Sequence, residues 1–475
     1  MRHTSPPVGG SAMWPLLPAM AFCLGLVACG NSGVPLADSG IGNPPATPVA
    51  PPTTSTEDSP LPAPEAPLTL VSDTPLTARL HELVVMSPAM EREVPLRVLL
   101  PTNYDAQSPA RYPVLYMMHG CCNGARGYAT YIDNHPVEEI TADLPIILVM
   151  PESGAGGLYS DWYNNGLGGT PRWETHHIKE LLHFIEQRYA VRRDRDGRML
   201  LGISMGGHGS FAYASKYPQL FGSASAMSPV VDTNTLIARG VLDGGSASDS
   251  GPPGSVWGPR ESEEVRWRGH NSWDLAENLS NTALWIRTGN GYTDGNPVPT
   301  DAFEFAVHEA ATNMHQQLDR FGIPHSFVDY GQGTHSIPFW DEGLRILIPQ
   351  QLALAQQRRP SPRRFTYLSI DPVFSAYDWQ VSIERSVIEF ARLGEVSEAG
   401  FTLAGSGLAS VRTAAWYVPG KSYRVQVGEA GQMLIADPQG RLEIAVDLGP
   451  SRSIQQFRPN SPAGYLRSVA VSITP

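Results

Sequence analysis

The chain has 475 residues, of which 41% are hydrophobic, and its formal net charge is −12 at pH 7. This length and apolar content allow two packed domains, because they exceed what a single core usually organises. The acidic balance, with no basic stripe along the sequence, argues against nucleic acid as a partner.

The N-terminus predicts a leader segment. Residues 12–28 are apolar, but they are short and broken by two prolines, which is typical of a signal peptide and not of a membrane-spanning helix. The segment ends in Leu-Val-Ala-Cys-Gly at residues 26–30, a pattern similar to the bacterial lipobox. We therefore expect residues 1–29 to form a lipoprotein signal peptide with lipidation at Cys29. Ordinary secretion with an incidental cysteine is the alternative.

Residues 30–68 predict a disordered tether. They are rich in Pro, Ala, Ser and Thr and contain neither Lys nor Arg. Such a composition buries too little apolar area to offset the entropy of the chain, so it stays extended. Together with the lipid anchor, the tether predicts an extracytoplasmic lipoprotein of the bacterial cell envelope, whose folded part is lifted off the membrane.

Residues 69–357 predict an α/β domain in which strands and helices alternate. An opening antiparallel pair shows alternating apolar residues, whereas the later strands are continuous apolar runs, as expected of strands covered on both faces. The predicted strands are residues 80–86, 94–100, 112–118, 145–150, 198–201, 223–227, 283–287 and 326–330. The main predicted helices are residues 173–189 and 207–216. This alternation is typical of a mostly parallel sheet with helices on both faces.

The most informative motif is Gly-Ile-Ser-Met-Gly at residues 202–206, between a predicted strand and a predicted helix. A serine on such a sharp turn needs glycine neighbours, since Cβ atoms there would collide with nearby backbone. The following helix directs unpaired N–H groups at the reacting oxygen. This nucleophile elbow predicts an α/β-hydrolase fold with Ser204 as the nucleophile. A glycine turn with an incidental serine is the alternative.

The α/β-hydrolase fold orders its triad as nucleophile, acid and base along the chain. His335 lies in a glycine-rich loop after the strand 326–330 and is the predicted base. A loop histidine that caps the following helix is the alternative. His176, His177 and His183 are weaker candidates, because we expect them on the solvent face of a helix.

The acid has three candidates, Asp301, Glu304 and Glu309, which all follow the strand 283–287. At about 100° per residue, Asp301 and Glu304 share one helical face, whereas Glu309 points roughly 140° away from Glu304. The residues alone therefore favour Glu304 or Asp301.

Two backbone amides are expected to form the oxyanion hole. One belongs to Met205, after the nucleophile, and the other to Cys121, in the loop after the strand 112–118. Cys121 and Cys122 are the pair of cysteines that would remain in the mature chain in an oxidising compartment. The pair forms either a strained vicinal disulfide that stiffens the loop or two reduced thiols.

Several short motifs between residues 80 and 355 point to one family. They are LYMMHG at 115–120, YSDWY at 159–163, WET at 173–175, the elbow, WGP at 257–259, TGNG at 288–291 and GTHS at 333–336. With these motifs the chain resembles the esterase D superfamily, which includes S-formylglutathione hydrolases and the secreted trehalose mycolyltransferases of mycobacteria.

The resemblance implies a role for each candidate. Ser204 matches the nucleophile, His335 the base, and Cys121 and Met205 the oxyanion positions. In the family, the catalytic glutamate lies five residues after the proline that begins its helix; counted from Pro299, this position is Glu304.

Two departures from the mycolyltransferases bear on the substrate. Those enzymes have an aspartate before the oxyanion glycine and an arginine shortly after it, where this chain has His119 and Cys122. They also have a tryptophan where this chain has Ile337. These departures weigh against trehalose as a substrate.

Residues 365–475 predict an accessory domain of the β-sandwich type. After a basic, proline-rich hinge, short strands at residues 379–383, 409–413, 422–427 and 442–446 alternate apolar and polar residues between glycine turns. Two interpretations are equally compatible with this pattern: a module that binds a polymer of the cell envelope, and a packing cap on the hydrolase.

Together these features predict a serine carboxylesterase that hydrolyses small or lipid esters with water and needs no metal or cofactor. Tyr159, Trp162 and Tyr163 are candidates for lining the substrate pocket, with packing of their loop as the alternative. An acyltransferase that moves an acyl chain to a sugar or glycerol is the nearest other interpretation. A non-catalytic envelope-binding lipoprotein is the interpretation from a different class.

Overall fold

The computed structural model describes residues 60–64, 66–107, 109–122, 124–236, 238–239, 251–461 and 465–475. The predicted signal peptide with Cys29, and most of the predicted tether, lie outside these residues. All of the described residues belong to one compact unit of the chain. Within this described part, no helix combines the length and the apolar character needed to cross a membrane.

A nine-stranded sheet forms the centre of the first folded region. Its strands are β1 (Thr69–Pro75), β2 (Leu80–Ser87), β3 (Arg92–Leu99), β4 (Val114–Met118), β5 (Ile147–Pro151), β6 (Arg198–Ile203), β7 (Ser223–Met227), β8 (Ala283–Thr288) and β9 (Ser326–Asp329). Their order across the sheet is β1-β2-β3-β5-β4-β6-β7-β8-β9. The pairs among β1, β2, β3 and β5 are antiparallel, and all remaining pairs are parallel. This arrangement is the α/β-hydrolase fold, which confirms the predicted fold class.

The central strands are apolar along their whole length because helices cover both faces of the sheet. Every residue of β4, β5, β6 and β7 is buried. One face packs into a core that includes Leu200 and Phe211, and the other into a core that includes Leu201 and Leu344. Alternate residues of one strand thus enter opposite cores.

The helices lie between the strands in the predicted order. They are α1 (Thr130–Asn134), α2 (Val137–Ile140), α3 (Trp173–Thr175), α4 (Leu182–Arg188), α5 (Met205–Lys216), α6 (Arg260–Gly269), α7 (Ala302–Arg320) and α8 (Ile337–Ala355). A π-helix at His176–Leu181 joins α3 to α4, and short 3₁₀ turns occur at Gly124–Ala129, Asn164–Gly166, Arg195–Gly197 and Ala276–Leu279.

The predicted solvent exposure of His176 and His177 is wrong. Both rings are buried in the π-helix. Nδ1 of His176 lies 3.0 Å from the hydroxyl of Ser87 at the end of β2, and Nδ1 of His177 lies 2.8 Å from the hydroxyl of Tyr213. The wider π turn changes which residues face inward. A prediction based on the 3.6-residue period of an α-helix therefore places these two histidines on the wrong face. His183 is partly buried, with Nε2 2.8 Å from the carbonyl of Pro62.

Two separate antiparallel sheets make up the C-terminal region. The six-stranded sheet has the order β10 (Phe365–Ser369), β13 (Ala391–Ser397), β14 (Gly400–Gly405), β19 (Arg467–Thr474), β16 (Ser422–Val427) and β17 (Ala430–Ile435). The four-stranded sheet has the order β11 (Val373–Ala376), β12 (Trp379–Glu384), β15 (Leu408–Arg412) and β18 (Glu443–Asp447). Strand β12 alternates buried and exposed residues, and its Trp379 is fully buried in a core of this region's own.

The C-terminal sheets contact the end of α5. The hydroxyl of Tyr367 donates to the carbonyl of Lys216 at 2.6 Å. The side-chain amide of Asn278 pairs with the backbone of Leu368 in both directions, at 2.9 and 2.7 Å, and also donates to the carbonyl of Ser215 at 2.9 Å. The accessory region is therefore bonded to the far end of the helix that follows Ser204.

Candidate active site

Ser204 lies at the turn between β6 and α5 with a strained backbone. Its φ is 56° and its ψ is −118°, a combination that non-glycine residues rarely adopt. A Cβ atom on Gly202 would lie 2.0 Å from the carbonyl oxygen of Gly206, and one on Gly206 would lie 1.8 Å from that of Met118. Both glycines are thus required sterically, and the turn holds Ser204 at the carboxyl edge of the sheet.

The loop that follows β4 packs directly against this turn. A Cβ atom on Gly120 would lie 3.5 Å from Cβ of Ser204. The N–H of Cys122 already donates to the carbonyl of Ala155 at 2.8 Å, so the neighbouring amide of Cys121 is the better candidate to face a substrate. Met205 is the first residue of α5, where backbone N–H groups have no acceptor in the helix.

The structure joins Cys121 and Cys122 in a vicinal disulfide, the first of the two predicted alternatives. The bond links two adjacent residues of the loop that contacts Ser204. A short ring of this kind removes conformational freedom from the peptide between the two cysteines. The disulfide therefore lies where it can stiffen one side of the predicted oxyanion hole.

His119 orients the peptide that carries the Cys121 amide. Its Nδ1 lies 2.7 Å from the carbonyl oxygen of Gly120, while its Nε2 accepts the N–H of Ser153 at 2.9 Å. Burial lowers the pKa of His119, so the neutral ring donates through Nδ1. In a trans peptide the carbonyl and the next N–H point in opposite directions. By holding the Gly120 carbonyl, His119 sets the direction of the Cys121 N–H.

In the sequence His119 is visible only as a departure from the mycolyltransferases, and its contact with Gly120 was not predicted. The available signal was a histidine immediately before the oxyanion glycine. An imidazole can satisfy two backbone groups at once, one as a donor and one as an acceptor.

His335 and Glu304 form a close pair at the same sheet edge as Ser204. Nδ1 of His335 lies 2.8 Å from Oε2 of Glu304, which is fully buried. Asp301, the competing carboxylate, holds the backbone instead. Its Oδ1 caps the start of α7, and its Oδ2 accepts the N–H of His335 at 2.8 Å. Glu304 thus contacts the imidazole, and Asp301 fixes the loop around it.

Several donors compensate the burial of the Glu304 carboxylate. Oε1 accepts the N–H of Gly289 at 2.6 Å and the hydroxyl of Ser228 at 3.0 Å. The hydroxyl of Tyr330 lies 3.4 Å away, and burial followed by the charge of Glu304 raises the pKa of this tyrosine, so that it stays a donor. These contacts leave Oε2 for His335.

Trp340 also contacts the imidazole of His335. Its ring stands perpendicular to that of His335, with the centroids 4.9 Å apart. The indole N–H donates at 3.1 Å to the hydroxyl of Ser228, which in turn donates to Glu304. The side chain of His335 remains 16% exposed, so a substrate can reach it from solvent.

The predicted pocket aromatics lie mainly in packing positions. Tyr159 is buried, and its hydroxyl donates to the carbonyl of His119 at 2.8 Å. The indole of Trp162 donates to the carbonyl of Gly157 at 3.2 Å. Tyr163 is partly buried beneath the guanidinium of Arg266, 4.9 Å from its ring centroid. These contacts support packing of the loop, and Tyr159 is bonded to the peptide between His119 and Gly120.

Among the described residues, no group of three potential metal ligands gathers around Ser204 and His335; the one such group lies on α7 and the segment after it, at His315, Asp319 and His325. The arrangement at the sheet edge provides a hydroxyl, an imidazole oriented by a carboxylate, and backbone amides. These are the groups that acyl transfer through a serine requires.

The fold and this arrangement define the class of α/β-hydrolases with an elbow serine. Residues 87–347, more than half of the chain, match the family model described as Putative esterase. The chain belongs to this esterase family, which confirms the resemblance inferred from the motifs.

Two relatives from Mycobacterium tuberculosis (strain ATCC 25618 / H37Rv) illustrate the similarity. Esterase Rv1288 is 32% identical over 257 residues, which cover 51% of each chain, so the chain spans about half the length of this relative. Diacylglycerol acyltransferase/mycolyltransferase Ag85A is 28% identical over 296 residues, which cover 59% of this chain and 83% of that protein. Among solved structures, Mycobacterium tuberculosis MPT51 aligns with a TM-score of 0.49 and 21% identity over 59% of this chain and 100% of that one.

Proposed function

We propose that this protein is an extracytoplasmic serine carboxylesterase. The observation that carries the proposal is the 2.8 Å contact between Nδ1 of His335 and the buried Oε2 of Glu304. The pair lies at the sheet edge where the strained elbow presents Ser204. Membership of the esterase family supports ester chemistry at this edge.

In the proposed reaction, Oγ of Ser204 attacks the ester carbonyl carbon while Nε2 of His335 takes the hydroxyl proton. The amides of Cys121 and Met205 stabilise the oxyanion, and Glu304 orients and stabilises the imidazolium. His335 then gives the proton to the leaving alcohol, which leaves an acyl group on Ser204. Water, deprotonated by the same imidazole, releases the acid and restores the serine.

The test is labelling with a fluorophosphonate probe together with turnover of a panel of nitrophenyl esters of increasing acyl length. We expect labelling and turnover in the wild type and neither in Ser204→Ala. The matched control is Ser280→Ala, an exposed serine away from the elbow. A wild type that is folded but neither labelled nor active would favour a non-catalytic, envelope-binding lipoprotein.

Acyl transfer is the second candidate function, and the similarity to a relative named as an acyltransferase/mycolyltransferase favours it. A sugar or glycerol hydroxyl would then replace water in the second step. The residues His119, Cys122 and Ile337 weigh against trehalose as this acceptor. Product analysis with and without glycerol separates the two functions: ester product forming faster than free acid would overturn hydrolysis.

We further propose that Cys29 carries a lipid and that residues 30–59 tether the enzyme to the cell envelope; the end of the predicted tether, with Leu61 and Leu68, packs on the core of the hydrolase. The lipobox-like pattern supports the anchor, and the vicinal disulfide suits an oxidising, extracytoplasmic compartment. Incorporation of labelled palmitate should occur in the wild type and fail in Cys29→Ser. Cys23→Ser, inside the predicted signal peptide, is the matched control and should label normally.

For residues 365–475 we propose a packing role on the hydrolase. The hydrogen bonds from Tyr367 and Asn278 to the end of α5 support this proposal. Asn278→Ala should lower the melting temperature, because it leaves the backbone of Leu368 without its partners. Sedimentation with purified envelope polymer tests the alternative: specific co-sedimentation would identify a binding module.

A further inference from the structure

Three polar side chains meet at the end of α7 that is opposite to Glu304. His315 and Asp319 lie one helical turn apart on α7, and His325 follows just before β9. Nδ1 of His315 is 2.7 Å from Nε2 of His325, and Nε2 of His315 is 3.6 Å from Oδ2 of Asp319. Each residue offers one ligand atom, and the three atoms lie within 4.8 Å of one another.

The ring of His325 is held in the orientation and tautomer of a metal ligand. Its Nδ1 lies 2.8 Å from the carbonyl oxygen of Ile323. A carbonyl only accepts, so Nδ1 carries the hydrogen and Nε2 keeps its lone pair, directed at His315. In metal-binding histidines, the ring nitrogen that does not bind the metal usually donates a hydrogen bond to a backbone carbonyl or a carboxylate, which fixes the orientation of the ring.

The ring of His315 is placed between two acceptors. Because Nε2 of His325 is an acceptor, Nδ1 of His315 donates to it, and Nε2 of the same ring then directs a lone pair at the carboxylate of Asp319. Nε2 of His315 and Oδ2 of Asp319 thus face each other across 3.6 Å. The ring is also held by stacking on Phe327, with centroids 4.3 Å apart and planes 6° from parallel.

We propose that His315, Asp319 and His325 form a binding site for a divalent transition metal, with Zn²⁺ as the expected ion. Two imidazole nitrogens and one carboxylate oxygen suit Zn²⁺ and not Mg²⁺ or Ca²⁺, which prefer oxygen ligands. A water molecule would complete the tetrahedron. The ion lies between Nε2 of His315 and Oδ2 of Asp319, whose separation of 3.6 Å is close to that of tetrahedral ligands. The ring of His325 leaves its hydrogen bond to Nδ1 of His315 and turns to the ion as the third ligand.

The place of the site in the fold defines what the metal does. Helix α7 carries Glu304 near its start, and β9 leads into the loop with His335. His315 lies 11 residues after Glu304, about 16 Å along the helix, so the ion takes no part in ester chemistry. It clamps the end of α7 to the segment that enters β9, and thereby stabilises the two elements that carry the imidazole–carboxylate pair.

The experiment measures Zn²⁺ binding by titration calorimetry and the melting temperature of the full chain, purified with a tag that contains no histidine. We expect one Zn²⁺ per chain and a higher melting temperature in its presence. His315→Ala and His325→Ala should each weaken binding at least about tenfold and abolish the thermal shift. His308→Ala, on the same helix and paired with Asp329, is the matched control and should bind like the wild type.

Asp319→Asn provides a variant at an exposed position, where the substitution does not threaten the fold. It should also weaken binding while the metal-free protein keeps its wild-type melting temperature. Substitution of Co²⁺ should give the visible absorption of a tetrahedral ion in the wild type only. The proposal is overturned if the folded wild type takes up no Zn²⁺, or if the double variant His315→Ala/His325→Ala binds it as tightly.

Discussion

The two sides of the candidate active site are built in different ways. On the nucleophile side, Ser204 is placed by a turn of five consecutive residues and by one loop that packs on it. On the acid–base side, His335 and Glu304 are 31 positions apart and meet only through hydrogen bonds among β8, α7 and the loop after β9. Local sterics thus determine one side and long-range pairing the other. Variants should therefore fail in different ways on the two sides.

The largest expected effect is that of His335→Ala. Without the imidazole, Ser204 has no base, and kcat for a nitrophenyl ester should fall by at least about 10⁴-fold. The elbow does not depend on His335, so circular dichroism and the melting temperature should stay near the wild-type values. Turnover within tenfold of the wild type would mean that another group activates the serine.

A second effect separates the two carboxylates of the acid–base side. Glu304→Gln should lower kcat by about 10²- to 10⁴-fold, because the amide cannot stabilise the imidazolium. Asp301→Asn retains an oxygen to cap α7 and should cost less than about tenfold in kcat, with a loss of stability of about 1 kcal/mol. Kinetics and urea unfolding of both variants provide the measurement. A more damaging Asp301→Asn would reverse the assignment.

On the nucleophile side, His119→Phe should lower kcat by about 10- to 100-fold, with little change in KM. The variant removes the donor to Gly120 and lets the Cys121 peptide reorient, so one oxyanion donor weakens. His119→Asn keeps an N–H near the position of Nδ1 and should recover part of the activity. If Asn and Phe behave alike, the hydrogen bond to Gly120 does not position the amide.

The smallest expected effect concerns stability against acid. Burial lowers the pKa of His119, His177, His208 and His270, for His208 to about 4. In the unfolded chain these imidazoles take up protons as the pH falls below about 6.5, whereas in the folded protein they stay neutral to lower pH. Their contribution to the free energy of unfolding is therefore complete above about pH 6.5 and is lost as the pH falls toward about 4.

The measurement is urea unfolding at pH 7.5 and pH 5. For His208 alone, the expected loss between these values is about 2 kcal/mol. His208→Phe should show a pH dependence that is smaller by this amount. An unchanged dependence would mean that His208 is protonated in the folded state.

The strand predictions were accurate for strands that are buried on both faces of the sheet, because such strands are continuous apolar runs in the sequence. Strand β7 has the predicted limits, Ser223–Met227, and β8 extends only one residue further than predicted. Strand β1 was missed because its residues at the sheet edge are mostly exposed and carry no apolar alternation. The π-helix was missed because its periodicity differs from that of an α-helix.

By itself, the sequence determined the elbow, the α/β pattern and the candidate base, because steric demands on glycines and burial on two faces act over a few neighbouring residues. The residues alone left Glu304 and Asp301 open and the family resemblance indicated Glu304; the tertiary structure shows that Glu304 contacts the imidazole of His335 while Asp301 accepts its backbone N–H. Only the tertiary structure shows the contacts of His119 with Gly120 and Ser153 and the disulfide between Cys121 and Cys122. These features depend on directional contacts between segments that are far apart in the sequence, and such contacts produce no periodic pattern of apolar residues.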